Sequence, residues 1–228
     1  MKITAQVKLL PASAHDANAL AATLRACNRA ANAASEVAFA KHLKRRNVLQ
    51  EAVYHRIKTD FDLGAQAAVR TVKKVCDAYA TFQANLRAGN YGPEGSKRRA
   101  KAESRPIRFR EESAQPYDDR MLTWNLDATS VSIWTVAGRL KGIPFVCSEQ
   151  AMSLLASRKG ESDLVMRDGM VFLIATIDIP EPELLQPDGF LGVDLGIVNI
   201  ATTSDGKIMS SRQVNRYRQR KRDLRTKL

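Results

Sequence analysis

A lone acid sits where a sheet would normally bury an apolar side chain. In the stretch Phe190 to Gly206, FLGVDLGIVNIATTSDG, an apolar run of Phe190, Leu191 and Val193 reaches Asp194 and then Leu195-Gly196. A second β-rich run follows from Val198 to Thr203. The spacing predicts two short strands with tight turns, the second turn at Asp205-Gly206. A carboxylate inside the first strand is costly to bury unless it is paired, hydrogen-bonded or bound to a metal. Gly192 and Gly196 leave room on either side for another group to approach the backbone.

Three arrangements satisfy these demands. The simplest is a hairpin whose acid faces water. In a second, the carboxylate bridges divalent cations, as in RNase H-like nucleases. In a third, a D-x-G-x-x-N turn wraps phosphate, as in actin and sugar-kinase phosphotransferases. The rest of the chain has to decide among them.

With 228 residues, 44% of them hydrophobic, the chain is long enough for one or two domains with a sizeable core. Its 36 Lys and Arg against 24 Asp and Glu leave a net charge of +12. Such an excess points to a polyanionic partner, nucleic acid before membrane. Cys27, Cys76 and Cys147 are too far apart for a zinc knuckle and odd in number, so they read as reduced, buried thiols. His15, His42 and His55 form no metal-ligand spacing. Neither a signal peptide nor a long apolar span is evident, and the expectation is a soluble, cytoplasmic protein without a membrane partner.

Along the chain, residues 2–10, KITAQVKLL, alternate polar and apolar and are closed by Pro11, the pattern of a strand with one wet face. Ser13 offers an N-cap to an Ala-rich helix from Ala14 to about His42, with Leu20, Leu24, Cys27, Ala31 and Ala34 on one stripe. A basic cluster (Lys41, His42, Lys44, Arg45, Arg46) precedes a short helix from Val48 to about Lys58. The clearest helix runs from Ala65 to about Leu86, with Ala65, Val69, Val72, Cys76, Tyr79, Phe82 and Leu86 as its apolar face. Arg70, Lys73 and Lys74 lie mostly off that face, as a solvated flank or, taken together, as phosphate contacts.

Residues 87–105 read as a mobile basic connector. From 97 to 110 there are seven Lys or Arg (Lys97, Arg98, Arg99, Lys101, Arg105, Arg108, Arg110) against Glu103 alone. Strand-like segments follow near 106–110, 123–125, 131–134 and 143–146, and a hairpin spans 163–166 and 170–179 across Arg167-Asp168-Gly169. These pieces predict a small antiparallel barrel that starts with residues 2–10 and holds the helices as an insertion; such oligonucleotide barrels bind strands across an open face. Pro180, Pro182 and Pro187 form a linker, after which the Asp194 hairpin opens a new domain. Residues 207–228 carry nine Lys or Arg against Asp223 alone and are helix-compatible, so the expectation is a domain begun and not finished.

The order of parts resembles the N-terminal portion of the TnpB (OrfB) proteins, transposon-encoded RNA-guided nucleases related to type V CRISPR effectors. KLLPASAHDANALAATLRACNRAAN is similar to the family's opening strand, proline and first helix, and GAQAAVRTVKKVCDAYATF to the helix entered through a small-Gln-Ala pattern. PIRFRE is similar to the return into the barrel, LGVDLGIVNIATTSDG to the first RuvC motif, and NRYRQRKRDLRTKL to the basic helix after it. The resemblance implies an α+β chain: an oligonucleotide-binding-like antiparallel barrel (wedge), an inserted helical recognition domain, and the start of an RNase H-like RuvC domain. The implied boundaries are 1–12 for the first wedge strand, 13–104 for the inserted domain, 105–183 for the remaining barrel and 188–228 for the RuvC start.

In that family three carboxylates hold two Mg²⁺ ions that cut DNA, because two cations about 4 Å apart need several anionic ligands to clamp the in-line attack. Asp194 falls on the first. The second, the third and the family's zinc module would lie beyond Leu228, so the expectation is that this chain does not cut DNA alone. The implied partners are a guide RNA and a double-stranded DNA target. Lys97, Arg98, Arg99, Arg108 and Arg110, with Arg216, Arg218, Arg220, Lys221 and Arg222, would neutralise phosphates. Gln66 would read an adenine in a groove, or serve as a helix-surface amide. Tyr117 and Trp124 would stack bases, though a barrel core accounts for Trp124 equally. Actin-type phosphotransferases place their motif at the start of a longer chain, which disfavours that reading. A non-cutting RNA- or DNA-binding derivative, such as a repressor, is the other class.

Overall fold

In the computed structural model, which describes residues 1–43, 45–158, 160–181, 183 and 186–226, the first strand is the centre of a sheet. Ala5, Val7 and Leu9 of β1 (Lys2–Leu9) point inward and are buried, while Lys2, Thr4 and Gln6 face water. The strand pairs antiparallel with β7 (Met170–Asp178) on one side and β5 (Gly138–Val146) on the other. Outward from β7 come β6 (Ser162–Arg167) and β2 (Gln115–Tyr117); outward from β5 come β4 (Ser130–Thr135) and β3 (Leu122–Asn125). All these pairings are antiparallel. The two edge strands are consecutive in the chain, and the link between them curls the sheet towards closure. Tyr117 Oη donates to the Trp134 carbonyl (3.1 Å), and Trp134 N donates to the Met121 carbonyl (2.8 Å). The product is a nearly closed antiparallel barrel in an α+β chain with six helices among the described residues.

Turn chemistry matches the expected β6–β7 hairpin. Arg167 pairs with Met170, and Asp168 (φ 51°) and Gly169 (φ 73°) both adopt the left-handed conformation that a two-residue loop of this hand demands. A short helix not foreseen from the sequence, α5 (Glu149–Leu155), is capped by Ser148 Oγ and buries Ala151 and Leu155.

The helices between β1 and β2 form a layer continuous with the barrel core. In α1 (Ala14–Ala40) the Ser13 hydroxyl caps Asp16 N at 3.1 Å, as predicted, and Leu20, Leu24, Cys27, Ala31 and Ala34 are fully buried. α2 (Arg46–Asp60) buries Leu49, Val53 and Ile57. On α3 (Ala65–Arg87) the buried face differs from the predicted one: it consists of Ala67, Ala68, Thr71, Val72, Val75 and Leu86. Small residues there allow close approach to the alanines of α1, and Val69, Cys76, Tyr79 and Phe82 are left half-buried at the side.

Two segments correct the sequence reading. Within 87–105, Lys97–Glu103 form a helix, α4, capped by Ser96 Oγ on Arg99 N. Pro106 to Arg110 alternate like a strand but join no sheet. Their backbone partners are side chains: Asn32 brackets Phe109 through both its amide atoms (2.8 and 3.0 Å), and Ser35 Oγ donates to the Ile107 carbonyl (2.7 Å). A segment satisfied in this way needs no neighbouring strand.

Residues Met1–Pro180 and Glu181–Leu228 are separate compact units. The second holds a three-stranded antiparallel sheet, β8 (Val193–Asp194), β9 (Asn199–Thr203) and β10 (Ile208–Ser210), then α6 (Arg212–Thr226). Lys44 of the basic cluster, Pro182 of the expected linker and Lys227 of the basic tail lie outside the described residues. No helix among the described residues is long and apolar enough to cross a membrane.

Candidate nucleic-acid interface

The cations singled out from the sequence fall into two groups, divided by whether the fold encloses them. On α3 it does, with carboxylates against Arg70 and Lys73 and an amide against Lys74. Arg70 pairs with Asp118 and Glu161, and the side chains of Arg70 and Asp118 are only 17% and 13% exposed. Gln66 Nε2 donates to the same Asp118 carboxylate, and Gln66 Oε1 accepts from Arg120 (3.3 Å), so its amide is engaged at both ends. Lys73 bridges Asp77 (2.7 Å) and Glu161 (3.4 Å); the hydrogen bond to Asp77 holds its ammonium above the ordinary value. Burial pushes the Asp118 carboxyl up, but its bonds to Arg70 and Gln66 outweigh that and leave it below the usual range.

Lys74 is the most enclosed of the four. Its ammonium donates to Asn28 Oδ1 (2.6 Å) and lies over the Phe109 ring (5.0 Å). Asn28 in turn donates to the carbonyls of Glu111 (2.8 Å) and Ser113 (2.9 Å). Desolvation lowers Lys74 to about 8 and pushes the neighbouring Cys27 thiol up to about 11. Burial likewise raises the Asp163 carboxyl, with Glu161 adding to the effect. Gln66, Arg70 and Lys73 tie α3 to Asp118 and Glu161, and Lys74 ties it to Asn28 of α1. As folded, Arg70 and Lys73 are met by carboxylates and Lys74 is enclosed between Asn28 and Phe109.

Tyr117 is also an interior residue. It is fully buried, its hydroxyl is engaged with Trp134, and no ring face is open to a stacked base. Trp124 is half-buried, edge-on to Phe145 (centroids 5.5 Å apart), with the Arg158 guanidinium over its ring (5.8 Å). Its position is the barrel-core one.

The second group is free of the core. Lys97, Arg98 and Arg110 are exposed and have no ion pair among the described residues. Arg98 covers the Tyr91 ring at 5.9 Å, Arg99 pairs within its helix with Glu103 (3.2 Å), and Arg108 pairs with Glu36 (2.9 Å). On α6, Arg216, Arg218, Arg220, Lys221 and Arg222 project from a helix with no buried residue. Its single acid, Asp223, accepts from Gln219 (3.3 Å), and Lys221 sits over Tyr217 (5.6 Å).

Asp194 is exposed on β8, opposite Thr202 of β9. In the turn that follows, a Cβ on Gly196 would lie 3.0 Å from the Asn199 carbonyl, so any larger residue would need that backbone to give. Ser211 ties that turn to the start of α6, its Oγ donating to the Val198 carbonyl at 2.6 Å. The other acid of the hairpin, Asp205, is engaged by Thr203 and Lys207, which lower it from the ordinary value. A two-cation centre needs several converging carboxylates. Asp194 supplies one, and no group of three His, Cys, Asp or Glu among the described residues is placed to hold a metal ion. Among the described residues, Asp194 alone does not make up the two-Mg²⁺ centre, and no cleavage step follows from it.

The partners missed from the sequence are the acids Asp118 and Glu161 and the amide Asn28. They meet α3 across 48, 91 and 46 residues of chain, and no local pattern marks such encounters. Compared with known proteins, the chain matches no protein-family model and no curated sequence.

Proposed function

We propose that this chain is the nucleic-acid-binding N-terminal portion of a TnpB-type RNA-guided DNA endonuclease, with the barrel as its oligonucleotide-binding-like wedge and residues 188–228 as the opening of a RuvC domain. The observation that supports it most is α6. Seven Lys or Arg project from fifteen residues that bury nothing, with one acid among them. Mutual repulsion destabilises such a helix in isolation, whereas a phosphate backbone releases counterions on meeting it and turns the same charge into affinity. The free cations Lys97, Arg98 and Arg110 add a second basic surface on the first unit. In this reading Asp194 is one of three Mg²⁺ ligands, and cleavage belongs to the complete nuclease.

The test is to purify the chain from cells that transcribe its own locus and sequence the RNA it retains after a high-salt wash. One discrete species with a constant structured end is the expected result. A random sample of cellular RNA, or none, would sink the guided reading. Sampled RNA bound at low salt would instead fit a non-cutting binder, against which the retention of Asp194 speaks.

A further inference from the structure

A cleft of about 550 Å³ opens where the ends of α1, α3 and α4 meet, within the range of about 300–1,000 Å³ that holds small ligands. Its apolar lining comes from Phe39 and Leu43 after the α1 stripe and from Tyr79, Phe82 and Leu86 of α3. Of these, Tyr79 and Phe82 are left at the side by the rotated buried face of α3. The cleft is therefore built by the same choice of small residues that brings α3 onto α1. Several of its walls are fixed. The Tyr79 hydroxyl bonds Ser35 Oγ (3.1 Å), and the Phe82 ring packs edge-on against Tyr91 (5.3 Å), which Arg98 covers.

The rim carries charge of one net sign. His42, Arg87 and Arg99 line it with Glu103 as the one acid, and Glu103 already answers Arg99. Arg87 has no ion pair among the described residues. His42 reaches the rim through a left-handed backbone (φ 52°) that closes α1, with Leu43 N donating back to the Ala38 carbonyl at 2.9 Å. Flat apolar walls beside an unpaired guanidinium suit a planar aromatic body that carries an anion.

We infer that this cleft binds one unpaired nucleotide, its base against Phe39 and Phe82 and its 5′-phosphate on Arg87 and His42. The ligand is either a free nucleoside monophosphate or an unpaired nucleotide of a strand. A strand as its source rests on the nucleic-acid-binding reading above; the cleft's chemistry does not. Bases stack on aromatic side chains whatever their sequence, and the basic run of α4 beside the rim gives a strand a path to follow.

Cys76 lines the same cleft and reports on it, while half-exposed Cys147 lies outside it and serves as an internal reference. The experiment alkylates the full chain with N-ethylmaleimide at pH 8.5 and follows both cysteines by mass spectrometry. Competitors are a mixture of the four nucleoside monophosphates, the matching nucleosides, and a short single-stranded oligoribonucleotide whose binding is read separately by anisotropy. Monophosphates at about ten times their dissociation constant should slow Cys76 about tenfold and leave Cys147 unchanged. Nucleosides should protect less, and Arg87→Gln, on an exposed position, should abolish that difference. If the oligonucleotide binds while neither it nor the monophosphates slow Cys76, the cleft assignment is overturned and the nucleic-acid reading stands. Protection by monophosphates with no oligonucleotide bound supports the cleft and sinks the strand. Unchanged protection in Arg87→Gln overturns the phosphate assignment.

Discussion

Lys74, a candidate phosphate ligand by sequence, faces Asn28 instead, and that enclosure gives it a measurable titration. Its folded-state value, about 8, lies below the ordinary 10.5, so from pH 8 upward the unfolded chain retains a proton that the folded chain has released. Stability therefore rises with pH across that window. Cys27 acts with the opposite sign: its thiol, raised from 9.0 to about 11, removes stability as pH climbs beyond 9. Over the interval pH 8–9 Lys74 contributes about 1 kcal/mol. Cys27 and the likewise raised thiols of Cys76 and Cys147 subtract from this, so denaturant midpoints should report a smaller net gain. Lys74→Met should flatten that interval, and an unchanged rise would show that another group titrates. Arg70 sets a different dependence, since Asp118 is nearly enclosed and loses its counter-charge with it. Arg70→Met should cost about 2 kcal/mol by urea unfolding, less than for a fully buried pair because water reaches Glu161. The double variant Arg70→Met/Asp118→Asn should recover part of that loss, and strict additivity would mean the two side chains are not coupled.

At the scale of elements, α3 meets the barrel at its N-cap. A Cβ on Gly64 would lie 3.0 to 3.3 Å from three atoms of the Trp134 indole, so the helix starts on the ring itself. Gly64→Ala should destabilise by about 1–2 kcal/mol and shift Trp134 emission; the smaller ring in Gly64→Ala/Trp134→Phe should restore part of the loss. No substantial effect from the single substitution would mean that the indole moves aside freely. Such an encounter also marks where sequence reading stops. The cap at Ser13, the stripe of α1, the β1 alternation and the Asp168-Gly169 turn are all legible, because each is decided within a few residues. The buried face of α3 is not. Periodicity favours its larger apolar residues, whereas close packing against an alanine-rich helix selects Ala67, Ala68 and Thr71. The 106–110 segment misleads for a related reason. Its alternation is real, but its backbone partners come from Asn32 and Ser35, more than 70 residues earlier. Of the candidate site, the exposed cations are legible as charge, but the carboxylates that neutralise Arg70 and Lys73 and the amide that holds Lys74 are not.

For the molecule as a whole, the net charge of +12 is unevenly compensated. The first unit carries +9 of it (27 Lys and Arg against 18 Asp and Glu up to Pro180) and the second +3, but several cations of the first unit are held by acids: Arg70, Lys73, Arg99, Arg108 and Arg158 are all paired. The second unit buries little beyond Ala201, Thr203 and Ser211 and leaves Phe190, Leu195, Ile197 and Val198 largely exposed, so its sheet resembles a surface more than a core. The charge of α6 has no comparable set of acids among the described residues. Duplex-DNA binding by the full chain should therefore weaken steeply with salt, and the slope of log affinity against log salt counts the phosphates neutralised. Replacing Arg216, Arg218, Arg220, Lys221 and Arg222 with Gln should reduce that slope by about 0.9 for each phosphate no longer neutralised, to a maximum of about 4.5. Changing Arg70, Lys73 and Lys74 together to Gln should leave the slope nearly intact while lowering stability, because their charges are directed inward. The measurement is a salt titration by fluorescence anisotropy at several concentrations, with thermal unfolding of each variant as the control for folding. A slope carried by the α3 cations and indifferent to α6 would reverse the division between structural and binding charge drawn from the ion pairs. It would mean instead that α3 exchanges Asp118 and Glu161 for phosphate when nucleic acid arrives.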